Sequence, residues 1–162
     1  MVTTKIQIEN HLAEYCVGKW GKNFSNPVRF PDHTELYLKI HDLTQKRPKL
    51  VPVDVGNLEI VIPNRRSDSD DEIRKNPEVY NYLSDRSVIS IQKTIRAMMR
   101  AELHEYMIEQ KHRYGIDYIE SSNEFKCKYG IVSISDDAFL KDCQRWKETL
   151  RKRKKRDYKK TV

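Results

Sequence analysis

The chain has 162 residues, with 31 Lys plus Arg against 24 Asp plus Glu, a formal charge of +7. That length suits one domain, or a domain with a small appendage, and 9 Tyr, 4 Phe and 2 Trp give one core enough apolar area. No apolar run approaches the roughly 18 residues of a membrane span, and Met1-Val2-Thr3-Thr4-Lys5-Ile6 lacks the apolar stretch of a signal peptide, so a cytoplasmic protein is expected.

In chain order, Ile8, Leu12, Tyr15 and Cys16 recur at helical spacing and predict a first helix over 8–20, bracketed at its end by Gly18 and Gly21. Residues 22–31 read as loop, with Val28-Arg29-Phe30 as a short extended piece. Asp32 and Glu35 have an acidic form of the capping-box spacing, and Leu36, Ile40 and Leu43 make a stripe, so a second helix is expected to start at Asp32. Lys46-Arg47-Pro48 closes it, because the residue before proline avoids helical dihedrals.

Leu58, Ile60 and Ile62 then alternate with Glu59 and Val61 between Gly56-Asn57 and Pro63, the pattern of a strand. Its expected partner is 51–55 or 28–30. Residues 65–75, with Ser67-Asp68-Ser69-Asp70-Asp71-Glu72, read as a solvated linker between an N-terminal α+β part (1–64) and a helical part (76–162). The acids Asp68, Asp70, Asp71 and Glu72 lack the spacing of a calcium loop.

Asn76-Pro77-Glu78 reads as the start of a short helix carrying Val79, Tyr80 and Leu83. Ser84 or Asp85 caps a much longer one, with Val88, Ile91, Ile95, Met98 or Met99, Leu103 and Tyr106 as its stripe and Gly115 as its stop. Asp117 and Glu120 repeat the acidic capping pattern for a helix with Ile119 and Phe125 inward and Gly130 just past its end. Ser135, followed by Asp136 and Asp137, caps the last helix, whose inner stripe is Phe139, Cys143, Trp146 and Leu150.

The charge is concentrated in that last helix. Residues 141–162 hold 11 Lys/Arg and 3 Asp/Glu, a balance of +8, and residues 1–140 hold 20 and 21, a balance of −1. Arg151-Lys152-Arg153-Lys154-Lys155-Arg156 is an uninterrupted run of cations, which no core can accept. It calls for solvent or a polyanion, and nucleic acid is the commonest polyanion in a cytoplasm. A solubilising tail is the plainer alternative, and a nuclear-targeting signal another if the source is eukaryotic.

The last two helices and their Gly turn also match a helix-turn-helix pattern, with Lys126 and Lys128 ending the first and Lys141, Arg145 and Lys147 off the apolar stripe of the second. Ordinary helical packing explains the same pattern. The candidate nucleic-acid-binding residues are therefore Lys141, Arg145, Lys147, Arg151, Lys152, Arg153, Lys154, Lys155, Arg156, Lys159 and Lys160.

Enzyme motifs do not close. His104-Glu105 begins like a zinc-protease motif, but position 108 is Ile where the second His belongs. Glu109 and His112 have the Glu-x-x-His spacing of di-iron bundles without a second copy. Glu102, Glu105 and Glu109, with Arg113 beyond them, read as a solvated face with helical ion pairs. Cys16, Cys127 and Cys143 are odd in number and form no CxxC, so buried free thiols are expected, and His11 and His41 fall on amphipathic helices. No catalytic residue, metal site or cofactor is expected.

Ile6-Gln7-Ile8-Glu9, His11-Leu12-Ala13-Glu14-Tyr15, Pro27-Val28-Arg29-Phe30-Pro31, Gly56-Asn57-Leu58-Glu59-Ile60-Val61, Ala101-Glu102-Leu103-His104-Glu105 and Lys128-Tyr129-Gly130-Ile131 carry a resemblance. From about Lys5 to Lys160 the chain resembles small basic proteins of mobile elements and transposable phages of Bacteroides-type bacteria. Those proteins have no assigned activity, so the resemblance implies a setting and no functional residue. Its helical body with a basic C-terminal helix pair is also similar to the transcription activators of Mu-like phages.

The expected fold is mainly α, with one long helix carrying the C-terminal part and a small α+β N-terminal part. The expected function is nucleic-acid binding, to duplex DNA, as a regulator or accessory factor of a mobile element. The alternative is a non-enzymatic assembly protein that forms a homo-oligomer through the long helix, its basic tail meeting an acidic partner. A hydrolase is the third reading, with no site constellation behind it.

Overall fold

The computed structural model describes residues 1–52, 54–64 and 75–160, with side chains described as far as Lys154. The fold is mainly helical: β1 (Thr3–Ile6), α1 (Asn10–Trp20), α2 (Glu35–Leu43), β2 (Leu58–Val61), α3 (Asp85–Glu109), α4 (Tyr118–Tyr129) and α5 (Asp136–Lys160). Most of the linker expected over 65–75 lies outside the described residues. Its last residue, Lys75, places Nζ 2.8, 2.9 and 3.0 Å from the carbonyl oxygens of His41, Asp42 and Thr44. It thus serves the carbonyls that the end of α2 leaves without helical partners.

β2 forms where the alternation predicts a strand, but its partner is neither expected segment alone. Thr3–Ile6 pairs with it antiparallel, Thr3 opposite Val61 and Ile6 opposite Leu58. Only four residues long and ending in a common Lys-Ile step, β1 carries too weak a signal to stand out in the sequence. Val28 does join the other edge of β2, donating to Glu59 O at 2.8 Å and accepting from Val61 N at 2.9 Å. The 51–55 segment forms no strand among its described residues, and Val55 is exposed.

Two helix starts also differ from expectation. α2 begins at Glu35, because the Thr34 hydroxyl, and not Asp32, accepts from the Tyr37 amide. α2 ends at Leu43, before Lys46-Arg47-Pro48. Residues 76–80 form only a turn, in which Asn76 O accepts from Val79 and Tyr80. Tyr82 then leaves helical geometry to exchange backbone hydrogen bonds with Gln45 at 2.9 and 3.2 Å. A tertiary bridge has overridden the local helix signal.

α3 is capped by Ser84, whose hydroxyl accepts from Ser87 N, and it buries Ile91, Ile95, Met99, Leu103 and Met107. A π-helical turn, Gln110–Tyr114, continues it to Gly115, whose φ of +70° ends the helix. α4 starts on the Asp117 carboxylate and ends at Gly130 with φ +64°. There the Gly130 amide bonds Cys127 O and the Ile131 amide bonds Lys126 O at 2.9 Å, a Schellman closure with Ile131 buried behind it. Phe125 points inward as expected; Ile119 does not, being 53% exposed.

One cluster of buried residues runs from Ile6 to Cys143 and draws on both sides of the acidic segment. Its centre is aromatic. Tyr15 lies 6.3 Å from Phe125 and 5.2 Å from Tyr129, and Phe125 lies 6.4 Å from Phe139. α1 reaches α4 closely because Gly18 has no side chain: a Cβ there would fall 2.1 Å from the Tyr129 carbonyl oxygen. Of the three free thiols Cys16 and Cys143 are buried, which pushes both up in pKa, but Cys127 is exposed, contrary to expectation.

Candidate nucleic-acid interface

α5 changes character along its length. Its N-terminal half is bound to the body: Phe139 and Cys143 are buried, and the Trp146 ring stacks on His104 at 4.3 Å. Arg100 of α3 forms a two-point ion pair with Asp142, donating from Nε at 3.0 Å and from Nη2 to the second oxygen. Lys126 of α4 reaches back to Asp136 at 2.5 Å and to Ile134 O at 2.9 Å. Beyond Trp146 the helix leaves the core. Leu150 is 37% exposed, and Arg151, Lys152, Arg153 and Lys154 are all exposed. The backbone stays helical to Lys160. At 1.5 Å per residue, that free end is about 20 Å long.

The charge order along α5 fits its dipole. Asp136 and Asp137 occupy the first turn, and the cations gather toward the C-terminus, where partial negative charge collects. The described cations fall on two stripes, except Arg153, which follows Trp146 and Leu150 on the core face but lies past the core and is exposed. Lys147, Arg151 and Lys154 follow one another at i, i+4 and i+7 beside the core face. Lys141, Arg145 and Lys152 share the far side. Lys141 and Arg145 are exposed, whereas Lys147 is half-buried, its Nζ 3.0 Å from the centre of the Tyr118 ring. The side chains of Lys155, Arg156, Lys159 and Lys160 lie outside those described. Lys126 and Lys128 are committed within the chain, the first to Asp136 and the second over the Tyr129 ring at 4.9 Å.

Some cations elsewhere are matched, although Lys22, Arg29, Lys49, Arg86 and Lys93 have no ion pair among the described residues. Lys19 pairs with Glu102, Arg47 with Asp54, Arg96 with Glu9, Arg100 with Asp142 and Arg113 with Glu109. Lys141, Arg145, Lys147 and the run 151–154 have no carboxylate partner among the described residues. The described cations of the last segment therefore carry charge that no ion pair among the described residues offsets.

The groups that resemble catalytic machinery are occupied structurally. Glu102, expected on a solvated face, instead accepts from the Tyr15 hydroxyl at 2.5 Å, from the Tyr129 hydroxyl and from Lys19. Burial pushes its pKa up, but Lys19 and the two hydroxyls outweigh that and hold the carboxyl below its ordinary value. Burial, and then the bond to Glu102, push both tyrosines well above theirs. All three groups are thus fixed in one charge state near neutrality. His104 is 7% exposed; burial first, and the Arg100 charge second, lower its pKa to about 4. Its Nε2 lies 3.3 Å from Asp142 Oδ2 without making a hydrogen bond. Among the described residues no group of three or more His, Cys, Asp or Glu is placed to hold a metal ion. No helix among them is long and apolar enough to cross a membrane.

The sequence reading passed over Lys111. It lies in the π-helical turn, its Nζ 5.9 Å from the same Tyr118 ring that Lys147 covers. The available signal was the Lys111-His112-Arg113 run before Tyr114-Gly115. Compared with known proteins, the chain matches no family model, no curated protein and no solved structure.

Proposed function

We propose that this is a nucleic-acid-binding protein that grips the phosphate backbone of duplex DNA with the C-terminal half of α5, as a regulator or accessory factor of a mobile element acting in the cytoplasm. One observation carries the reading. The cations of α5 follow one another from Arg151 to Lys154, all exposed past the core and with no carboxylate partner among the described residues, whereas the cations of the body are dispersed among its acids. A helix that leaves its core with like charges at i, i+4 spacing loses stability unless something anionic meets it.

Backbone contact is favoured over base reading by the charge order. The first turn of α5 carries Asp136 and Asp137, so entering a groove by that end would bring carboxylates against phosphates. The connection between α4 and α5 spans six residues, longer than the three or four of a compact helix-turn-helix. Lys141 and Arg145 have room to add base contacts from the far stripe. The stripe of α3 that a helical assembly would use is already covered by α1, α2 and α4 of the same chain.

The test compares the full chain with a chain cut after Leu150 for binding to a labelled duplex. The full chain is expected to bind at least tenfold more tightly, and equal binding by the two would end the proposal. Arg145→Ala separates the two modes: a loss confined to some sequences indicates base reading, and an equal loss on all indicates phosphate contact.

A further inference from the structure

Resting on the nucleic-acid reading above, we propose that Lys111 and Lys147 form a phosphate clamp, gathered on the ring of Tyr118, that seats one phosphate of the bound strand at the foot of α5. The two lysines come from distant parts of the chain, the π-helical turn and the middle of α5, and the start of α4 supplies the ring that both approach. Their ammonium groups lie 5.9 and 3.0 Å from its centre. Neither has a carboxylate partner among the described residues. The acid next to the ring in sequence, Asp117, already accepts from the Tyr118 amide at 2.8 Å as the cap of α4.

Two ammonium groups gathered at one ring repel each other. The ring face offsets part of that. An anion between them turns the repulsion into two attractions, and phosphate oxygens suit ammonium donors. The clamp also continues a track. Lys147 heads the stripe that runs through Arg151 to Lys154, about 10 Å along the helix. Lys111 extends that track off the helix onto the α3–α4 corner, where His112 and Arg113 are exposed as well. The π-helical turn contributes the geometry: its wider winding shifts Lys111 out of phase with the buried stripe of α3. Tyr118 is a positioning residue here, acting through the lysines.

The test uses the full chain and a labelled duplex, with affinity measured over a salt series. Lys111→Gln and Lys147→Gln are each expected to weaken binding about fivefold near 0.15 M salt and to flatten the salt slope by about 1; the double variant flattens it by about 2. Tyr118→Phe keeps the ring and behaves like the parent, while Tyr118→Leu falls toward the double variant. Lys93→Gln, an exposed cation of α3 away from the track, leaves the slope unchanged. A double variant with the parental slope overturns the clamp, as does a Lys93→Gln loss equal to that of Lys111→Gln, which would mean that only net charge counts. Melting curves of each variant identify any that fails to fold, and the lysine variants decide the matter if Tyr118→Leu does. A full chain that binds no duplex removes the clamp and the function together. Weaker binding after the cut at Leu150, beside an unchanged slope in Lys111→Gln/Lys147→Gln, removes the clamp alone.

Discussion

At the scale of single residues, the half-buried Glu102 and the buried His104 hold the helices together in opposite ways. Glu102 works charged: three donors from α1 and α4 converge on its carboxylate. Glu102→Leu leaves Lys19 and two hydroxyls without their acceptor, and a loss of about 2–3 kcal/mol is expected in chemical denaturation. His104 works neutral. Its folded pKa of about 4 lies below the ordinary 6.5, so the unfolded chain takes up a proton first as pH falls. The contribution is whole above pH 6.5 and is lost progressively toward pH 4. Melting temperature should fall between pH 6.5 and 5 in the parent and fall less in His104→Gln; parallel curves would show that the imidazole does not matter. Neither role was visible in the sequence. Periodicity puts Glu102 beside the α3 stripe but says nothing of Tyr15 and Tyr129, which only the fold brings to it.

At the scale of elements, local chemistry was most readable where a helix begins or ends. Ser84, Asp117 and Ser135 cap the helices they were expected to cap, and Gly115 and Gly130 adopt the left-handed geometry that stops them. Gly130→Ala places a Cβ in that conformation with only the Phe24 ring nearby, at 3.6 Å, so backbone strain of about 1–2 kcal/mol is expected. Gly18→Ala should cost more, because its Cβ meets the Tyr129 backbone and α1 must move off α4. Thermal melts should rank the parent above Gly130→Ala and Gly130→Ala above Gly18→Ala; the reverse order of the two variants would refute the close α1–α4 contact. Elements that depend on remote partners were the ones misread. β1 exists because β2 needs an edge partner, and residues 76–83 stay irregular because Gln45 captures Tyr82. No window of neighbouring residues contains either fact.

At the scale of the molecule, the division of charge is the dominant feature, and it was legible from counting alone. The structure adds where those charges go: along a helix whose core contacts end near Trp146 and whose cations have no acidic partner among the described residues. It also joins Lys111 to them through Tyr118, a link that composition cannot show. The most direct measurement is the salt dependence of duplex binding by the full chain and by the chain ending at Leu150. If roughly six to eight cations of the free end meet phosphates, log affinity should fall against log salt with a slope of about −5 to −7, and the shortened chain should lose most of that slope. A shallow slope in the full chain, or the same slope in both, would contradict the account.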